Sequence, residues 1–113
     1  MIEQINKPWG KEFILEKNEE YVVKRLFIKQ GFKTSLQYHN EKHEFFYVIS
    51  GKFKFLIGES KETLEEKIIE AGYYIAINPG TIHRMEALES GYYLECSTTQ
   101  LDDVVRLEDD FGR

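Results

Sequence analysis

Four residues of this chain have side chains that bind metal ions, and their spacing suits one shared site. Gln37 and His39 stand two apart, Glu44 follows a short stretch later, and His83 lies just past Pro79-Gly80. Together they offer a carboxamide oxygen, two imidazole nitrogens and a carboxylate. Two residues apart on a strand, Gln37 and His39 point to the same side. A new strand opening after the Pro-Gly turn would carry His83 into the same cavity. Neutral imidazole with oxygen donors suits a divalent first-row ion, and zinc, manganese, iron, cobalt and nickel all qualify. A Gln-x-His pair by itself is ordinary strand surface. Glu44, the bounding Gly31 and Gly51, and the Pro-Gly-x-x-His segment turn it into a candidate metal centre.

Other charged residues surround this set. Glu41 lies two after His39, so it serves as a fifth ligand or general base if the strand continues, and as an exposed acid if the chain turns. His43 falls off the ligand spacing and reads as a loop histidine. Lys24 and Arg25 are neighbours in one strand, so a regular strand turns one of them inward. An inward cation needs a partner: a phosphate or carboxylate ligand, Glu44 or Glu95. Arg84 directly follows His83 and is either an outward salt-bridge residue or a group at the cavity mouth. Arg106 and Arg113 lie in an acidic tail with Val104, Val105 and Leu107 as its apolar anchors. An acidic protein that gathers cations beside a metal-lined cavity is arranged for an anion, with Arg84, Lys24 and Arg25 the expected contacts.

The elements that must position these residues are short. Runs at 11–17, 21–30, 35–40, 44–50, 52–57, 73–77, 82–88 and 92–99 read as strands. In the first, Phe13 and Leu15 mark the apolar face. In the fifth, Phe53 and Phe55 face one way and Lys52 and Lys54 the other. Residues 58–61 read as a hairpin turn. Residues 62–70 are ambiguous, because Glu and Lys suit a helix while Ile68-Ile69 suit a strand. Eight to ten such strands without a sustained helical period indicate an all-β sandwich or barrel.

Composition agrees and excludes several classes. The 113 residues are the length of one domain, 1–113, and 42% of them are hydrophobic, which favours a folded globule over disorder. Seven Tyr and eight Phe favour strands. The formal charge of −5, with no basic run, argues against nucleic-acid binding. Cys96 is the only cysteine, so no intrachain disulfide forms, which fits a reducing compartment. It reads as a small buried strand residue. No run approaches the ~20 apolar residues of a membrane span, and no signal-like apolar core follows Met1. These features point to the cytoplasm.

The spacing Gly31-x5-Gln37-x-His39-x4-Glu44-x6-Gly51 resembles the first cupin motif, with Gln37 in place of a histidine. The stretch from Gly72 to His83 resembles the second, with a contracted Pro79-Gly80 and with Ala87 where Asn is usual. Lys7-Pro8-Trp9-Gly10, Tyr21-Val22-Val23-Lys24-Arg25, Ser35-Leu36-Gln37-Tyr38-His39, Pro79-Gly80-Thr81-Ile82-His83-Arg84 and the segment from Arg106 to Arg113 are together similar to the C-terminal cupin domain of type II mannose-6-phosphate isomerases.

The resemblance implies a double-stranded β-helix, a jelly-roll barrel, with both terminal segments packed outside it. It implies a homodimer paired through outer strands, with 11–17 as an edge that invites pairing. It also implies a metal held by Gln37, His39, Glu44 and His83, and a phosphorylated or nucleotide-linked sugar as ligand, in polysaccharide biosynthesis. Glu41, Arg84 and Lys24 take the catalytic places, and Arg25, Lys42, Arg84 and Arg113 the ligand-binding ones. The family carries a histidine-rich stretch followed by Arg, and a His directly after the glutamate. Here those places hold Asn40, Glu41, Lys42 and Phe45. Lys42 keeps the charge without the two-pronged guanidinium. Type II enzymes also carry a nucleotidyltransferase domain, which this chain has no room for and a separate partner would supply. The alternative function is a non-catalytic binding cupin or accessory subunit.

Overall fold

The computed structural model describes residues 3–109, which leaves the expected ligand contact Arg113 outside the described residues. The described chain is built from antiparallel strands: β1 (Glu3–Lys7), β2 (Gly10–Lys17), β3 (Val22–Ile28), β4 (Leu36–Tyr38), β5 (Glu44–Val48), β6 (Lys52–Gly58), β7 (Glu65–Glu70), β8 (Tyr74–Ile77), β9 (Ile82–Glu89), β10 (Gly91–Ser97) and β11 (Val105–Glu108). The only helical element among the described residues is a 3₁₀ turn, Lys61–Thr63. One sheet runs β1-β2-β3-β10-β5-β8 and the other β11-β4-β9-β6-β7. This is the expected all-β jelly roll.

The core lies between the sheets and follows from period-two alternation. In β5, Glu44, Phe46 and Val48 are buried while Phe45 and Tyr47 are 38% and 41% exposed. In β6, Phe53 and Phe55 are fully buried, each stabilising the fold by about 1.5–3 kcal/mol through apolar burial. Tyr93 from β10 meets Phe53 edge-on at 5.8 Å and Phe46 at 5.1 Å, so aromatic contacts tie the two sheets together.

Three expectations are corrected here. Both terminal segments join the barrel rather than pack outside it. β1 pairs with β2, and β11 pairs with β4. The run at 11–17 is therefore internal, and β1 is the edge. Within β2 the buried residue is Glu12, 7% exposed, while Leu15 is 39% exposed. The ambiguous 62–70 segment resolves as β7, because β6 offers a free edge. Pairing Phe53 with Ile69 buries Ile69 to 4% exposure and leaves Ile68 in solvent. Burial against a strand outweighs the helix preference of Glu and Lys.

Gly51 is required by packing. It turns β5 into β6 at φ +82°, and a Cβ there would lie 2.6 Å from the Gly91 Cα. No other residue fits that approach.

Candidate metal centre

Three strands and one turn aim the candidate ligand side chains. Glu44 opens β5 facing inward. Gln37 lies in β4 and pairs directly across from His83 in β9. His39 stands just past the end of β4. Asn78-Pro79-Gly80-Thr81 forms the turn before β9, closed by the Thr81 amide donating to the Asn78 carbonyl at 3.2 Å. Gly80 has φ +85°, so Pro and Gly occupy the two central places of a type II turn. The Gly80 amide also donates to the His39 carbonyl at 2.7 Å, fastening the turn to β4.

His39, Glu44 and His83 are all buried, and one donor atom from each lies within 4.8 Å of the other two. Glu44 Oε1 is 2.7 Å from His39 Nε2 and 3.2 Å from His83 Nε2. These atoms nevertheless lack hydrogen-bond geometry, and all three are buried without a hydrogen-bond partner. The other ring nitrogens are engaged. His39 Nδ1 faces the Asp103 carbonyl at 2.6 Å and His83 Nδ1 faces the Thr81 carbonyl at 3.0 Å. A carbonyl only accepts, so each Nδ1 carries the proton and each Nε2 presents a lone pair to the cavity. Buried lone pairs converging on one point fit a divalent cation. Gln37 lines the same cavity, and its Oε1 accepts a hydrogen bond from the Ser35 hydroxyl at 2.7 Å.

The cavity has a volume of about 120 Å³ and continues past the cluster along a charged wall. Lys42, 6% exposed, places Nζ 3.4 Å from Glu44 Oε2. Lys24 Nζ is 2.8 Å from Glu12 Oε1, and Lys7 reaches the same carboxylate at 3.9 Å. Burial pushes the Glu44 carboxyl up, but the two imidazoles and Lys42 outweigh it and hold the group well below the usual carboxylate range. Glu95 goes the other way. Burial and the Glu44 charge raise it to about 8, against Lys42 and Lys24, so it is mostly a neutral acid near pH 7. Burial disfavours the Lys24 ammonium, yet Glu95 and Glu12 raise its pKa overall.

The structure sorts the sequence candidates. Gln37, His39, Lys42, Glu44, His83 and Lys24 line one cavity. Arg84, Arg25 and Glu41 do not line it. Arg84 lies on β9 between inward-facing His83 and Met85, so it points to the opposite face. Its Nε donates to the Thr34 carbonyl at 2.8 Å and a terminal nitrogen donates to the Glu108 carbonyl at 3.2 Å. Arg25 also faces outward, its guanidinium 4.7 Å from the Phe13 ring and 5.3 Å from the Tyr92 ring. Glu41 is exposed because the chain turns after His39. Phe45 faces outward, so it takes nothing from the cavity. His43 is exposed in the loop, as expected. Sequence reasoning missed Glu12 as the partner of Lys24, although the alternation of β2 with Glu12 at an inward position carries that signal. It also missed Asp103, which looked like one more acid in a solvated tail.

A two-sheet antiparallel jelly roll with His and Glu donors converging between the sheets defines a cupin. Within that class, the family model "Mannose-6-phosphate isomerase C-terminal" matches residues 1–109, and the chain belongs to this family. It is 37% identical over its whole length to the mannose-1-phosphate guanylyltransferase ManC of Salmonella typhimurium. It is 31% identical over 97% of its length to the xanthan biosynthesis protein XanB of Xanthomonas campestris. The chain spans 24% of the length of each of these relatives. Among solved structures, the capsular polysaccharide assembling protein CapF of Staphylococcus aureus superimposes with a TM-score of 0.85 at 19% identity, over 96% of this chain and 32% of that one. An RmlC-like cupin from Shewanella frigidimarina superimposes with a TM-score of 0.76 at 18% identity, over 87% of this chain and 84% of that one. These two likenesses concern the fold.

Proposed function

We propose that this chain is a metal-binding cupin that acts on a sugar phosphate or nucleotide sugar in polysaccharide biosynthesis, in an isomerase- or epimerase-like reaction. The observation that carries this reading is the cavity itself: three converging unpartnered donors share it with the buried cation Lys42 and the half-buried cation Lys24. His39, Glu44 and His83 would hold a zinc, manganese, iron, cobalt or nickel ion, with Gln37 as a further oxygen donor. Such an ion supplies Lewis-acid polarisation of a carbonyl or hydroxyl oxygen when bound. The protein's own residues do the rest. Lys42 and Lys24 attract the anionic group of the ligand. Arg84 and Arg25 serve the frame instead.

Aldose–ketose chemistry moves a proton between adjacent carbons and needs a group that takes and returns it. Glu41 is exposed, so that role falls to a carboxyl group inside the cavity, and Glu95 lines it. A volume of about 120 Å³ is small beside ligand pockets of roughly 300–1,000 Å³. It suits a head group or sugar ring, with the rest of a nucleotide-linked ligand at the mouth. The named relatives support the ligand class, being a mannose-1-phosphate guanylyltransferase and a xanthan biosynthesis protein. A separate nucleotidyltransferase and a cytoplasmic setting complete the proposal. Exposed outer-face aromatics such as Tyr74, 65% exposed, support pairing into a homodimer.

The exposed position of Glu41 favours a second reading, a non-catalytic binding cupin or accessory subunit. Turnover separates the two. The protein is loaded with each of the five metals and given a panel of sugar phosphates and nucleotide sugars in deuterated water. Catalysis predicts deuterium at the carbon beside the carbonyl or the epimerised centre. Saturable binding without exchange supports the second reading, and absence of binding overturns both.

A further inference from the structure

The segment 98–104 lies along the turn 39–43 and holds it at both ends and in the middle. The Thr98 amide donates to the His43 carbonyl at 3.1 Å, and the His43 amide donates to Thr98 Oγ1 at 3.0 Å. At the other end Asp103 makes an unusual set of contacts. Its carboxylate accepts the amides of Asn40 at 3.0 Å, Glu41 at 2.6 Å and Lys42 at 3.0 Å. Its backbone carbonyl accepts from His39 Nδ1 at 2.6 Å. A turn seats both groups at once: the Asp103 amide donates to the Gln100 carbonyl at 3.2 Å, and the Val104 amide to the Asp102 carbonyl at 3.0 Å. Leu101 and Val104, on either side of Asp103, line the cavity.

We infer that Asp103 is a positioning residue: by clasping the 40–42 backbone with its carboxylate, it holds its own carbonyl against His39 and so fixes which His39 nitrogen faces the cavity. The inference rests on the metal reading above and assigns it a control point in the C-terminal segment. The chain makes one rigid unit from two functions. The carboxylate gathers three amides that the turn leaves without strand partners. The carbonyl then has a defined place from which to accept one proton, and the ring cannot flip without losing that bond. His83 is oriented by the Thr81 carbonyl, two residues away in the turn that leads into β9, so it does not depend on the tail. His39 alone is tied to a residue far along the chain.

Zinc affinity, measured by competition with a chromophoric chelator near neutral pH, tests this in four proteins: unaltered, Asp103→Ala, Asp103→Asn and Glu108→Ala. Glu108→Ala breaks the Lys61–Glu108 pair, 3.1 Å, at the far end of β11 without touching His39. Removal of an outer partner of a ligating histidine lowers metal affinity about 10- to 100-fold, so Asp103→Ala should weaken zinc binding by at least ~10-fold, Asp103→Asn should recover part of the loss through its remaining acceptor, and Glu108→Ala should stay within about twofold of the unaltered protein. Equal losses in Asp103→Ala and Glu108→Ala would reduce Asp103 to a tether of the tail and overturn the inference, as would an unchanged affinity in Asp103→Ala.

A second readout holds whether or not Asp103→Ala folds and whether or not zinc binds. In the unaltered metal-free protein, nitrogen NMR of the neutral His39 ring should show the Nδ1–H tautomer, with that proton close to the Asp103–Val104 peptide. The Nε2–H tautomer there would overturn the inference. Failure of the unaltered protein to take up zinc, with the Nδ1–H tautomer present, would instead count against the metal reading and leave the clasp standing.

Discussion

Arg84 follows a candidate ligand in the chain and yet belongs to the frame. Its guanidinium ties the Thr34 carbonyl to the Glu108 carbonyl across the outer face of β9. Hydrogen bonds from a charged group contribute about 1.5–3 kcal/mol, so Arg84→Ala should lose stability on that scale in urea denaturation. Ligand affinity per folded molecule should stay unchanged. A loss of affinity at unchanged stability would return Arg84 to the ligand site. Cys96, on β10, is half-buried and free. Burial, and then the Glu95 charge, push its thiol above the ordinary value. The thiolate is the form that reacts. Alkylation should therefore be slow near neutral pH and reach half its limiting rate only above the pH of an ordinary thiol. A plateau already reached at neutral pH would contradict this. At this scale the convergence of His39, Glu44 and His83 on one cavity, with Gln37 in its lining, was legible, because these residues differ in chemistry from their neighbours. The ligand-binding cations were harder. Adjacent charged residues such as Lys24-Arg25 and His83-Arg84 differ only in the side of the strand they take, and the first residue of the strand decides that.

At the scale of elements, the glycine turns carry the positioning. Gly51 and Gly80 share a left-handed backbone, but they differ in surroundings. A Cβ at Gly80 would meet nothing within 4 Å, while one at Gly51 would lie 2.6 Å from Gly91 and 2.7 Å from the Ser90 carbonyl. Left-handed backbone with a Cβ costs roughly 1–2 kcal/mol, so Gly80→Ala should lose about that much. Gly51→Ala should lose distinctly more, since backbone must move as well. Equal losses in thermal denaturation would show that the β5–β6 turn can shift away from β10. Strands with clean alternation, such as β5 and β6, were readable from sequence. β1 and β11 were not, because neither Gln4-Ile5-Asn6 nor Val105-Arg106-Leu107 alternates strongly enough to stand out from a loop. Each becomes a strand by finding a sheet edge, on β2 and on β4. Glu12 was missed for a related reason: a carboxylate at a core position reads as exposed until its partner, Lys24, is placed diagonally from it on β3, with their charged atoms 2.8 Å apart.

For the whole molecule, the two sheets enclose an apolar core at one end and a charged cavity at the other. Phe46 bridges the two, packing on Phe55 and Tyr93 on one side and meeting the His83 ring at 5.9 Å on the other. The jelly roll was legible because strand count and turn spacing exclude the helical alternatives. The residues by which the tail closes the cavity were not, since they depend on contacts between positions some sixty apart, such as Asp103 with His39 to Lys42. The central claim is that the cavity holds a divalent ion on His39, Glu44 and His83. Metal analysis of protein purified without chelators, beside a folded His83→Ala variant, tests it most directly. The account predicts a stoichiometric divalent ion in the unaltered protein and its loss in the variant. An unaltered protein that stays metal-free after exposure to all five ions, or a variant that retains its metal, would contradict it.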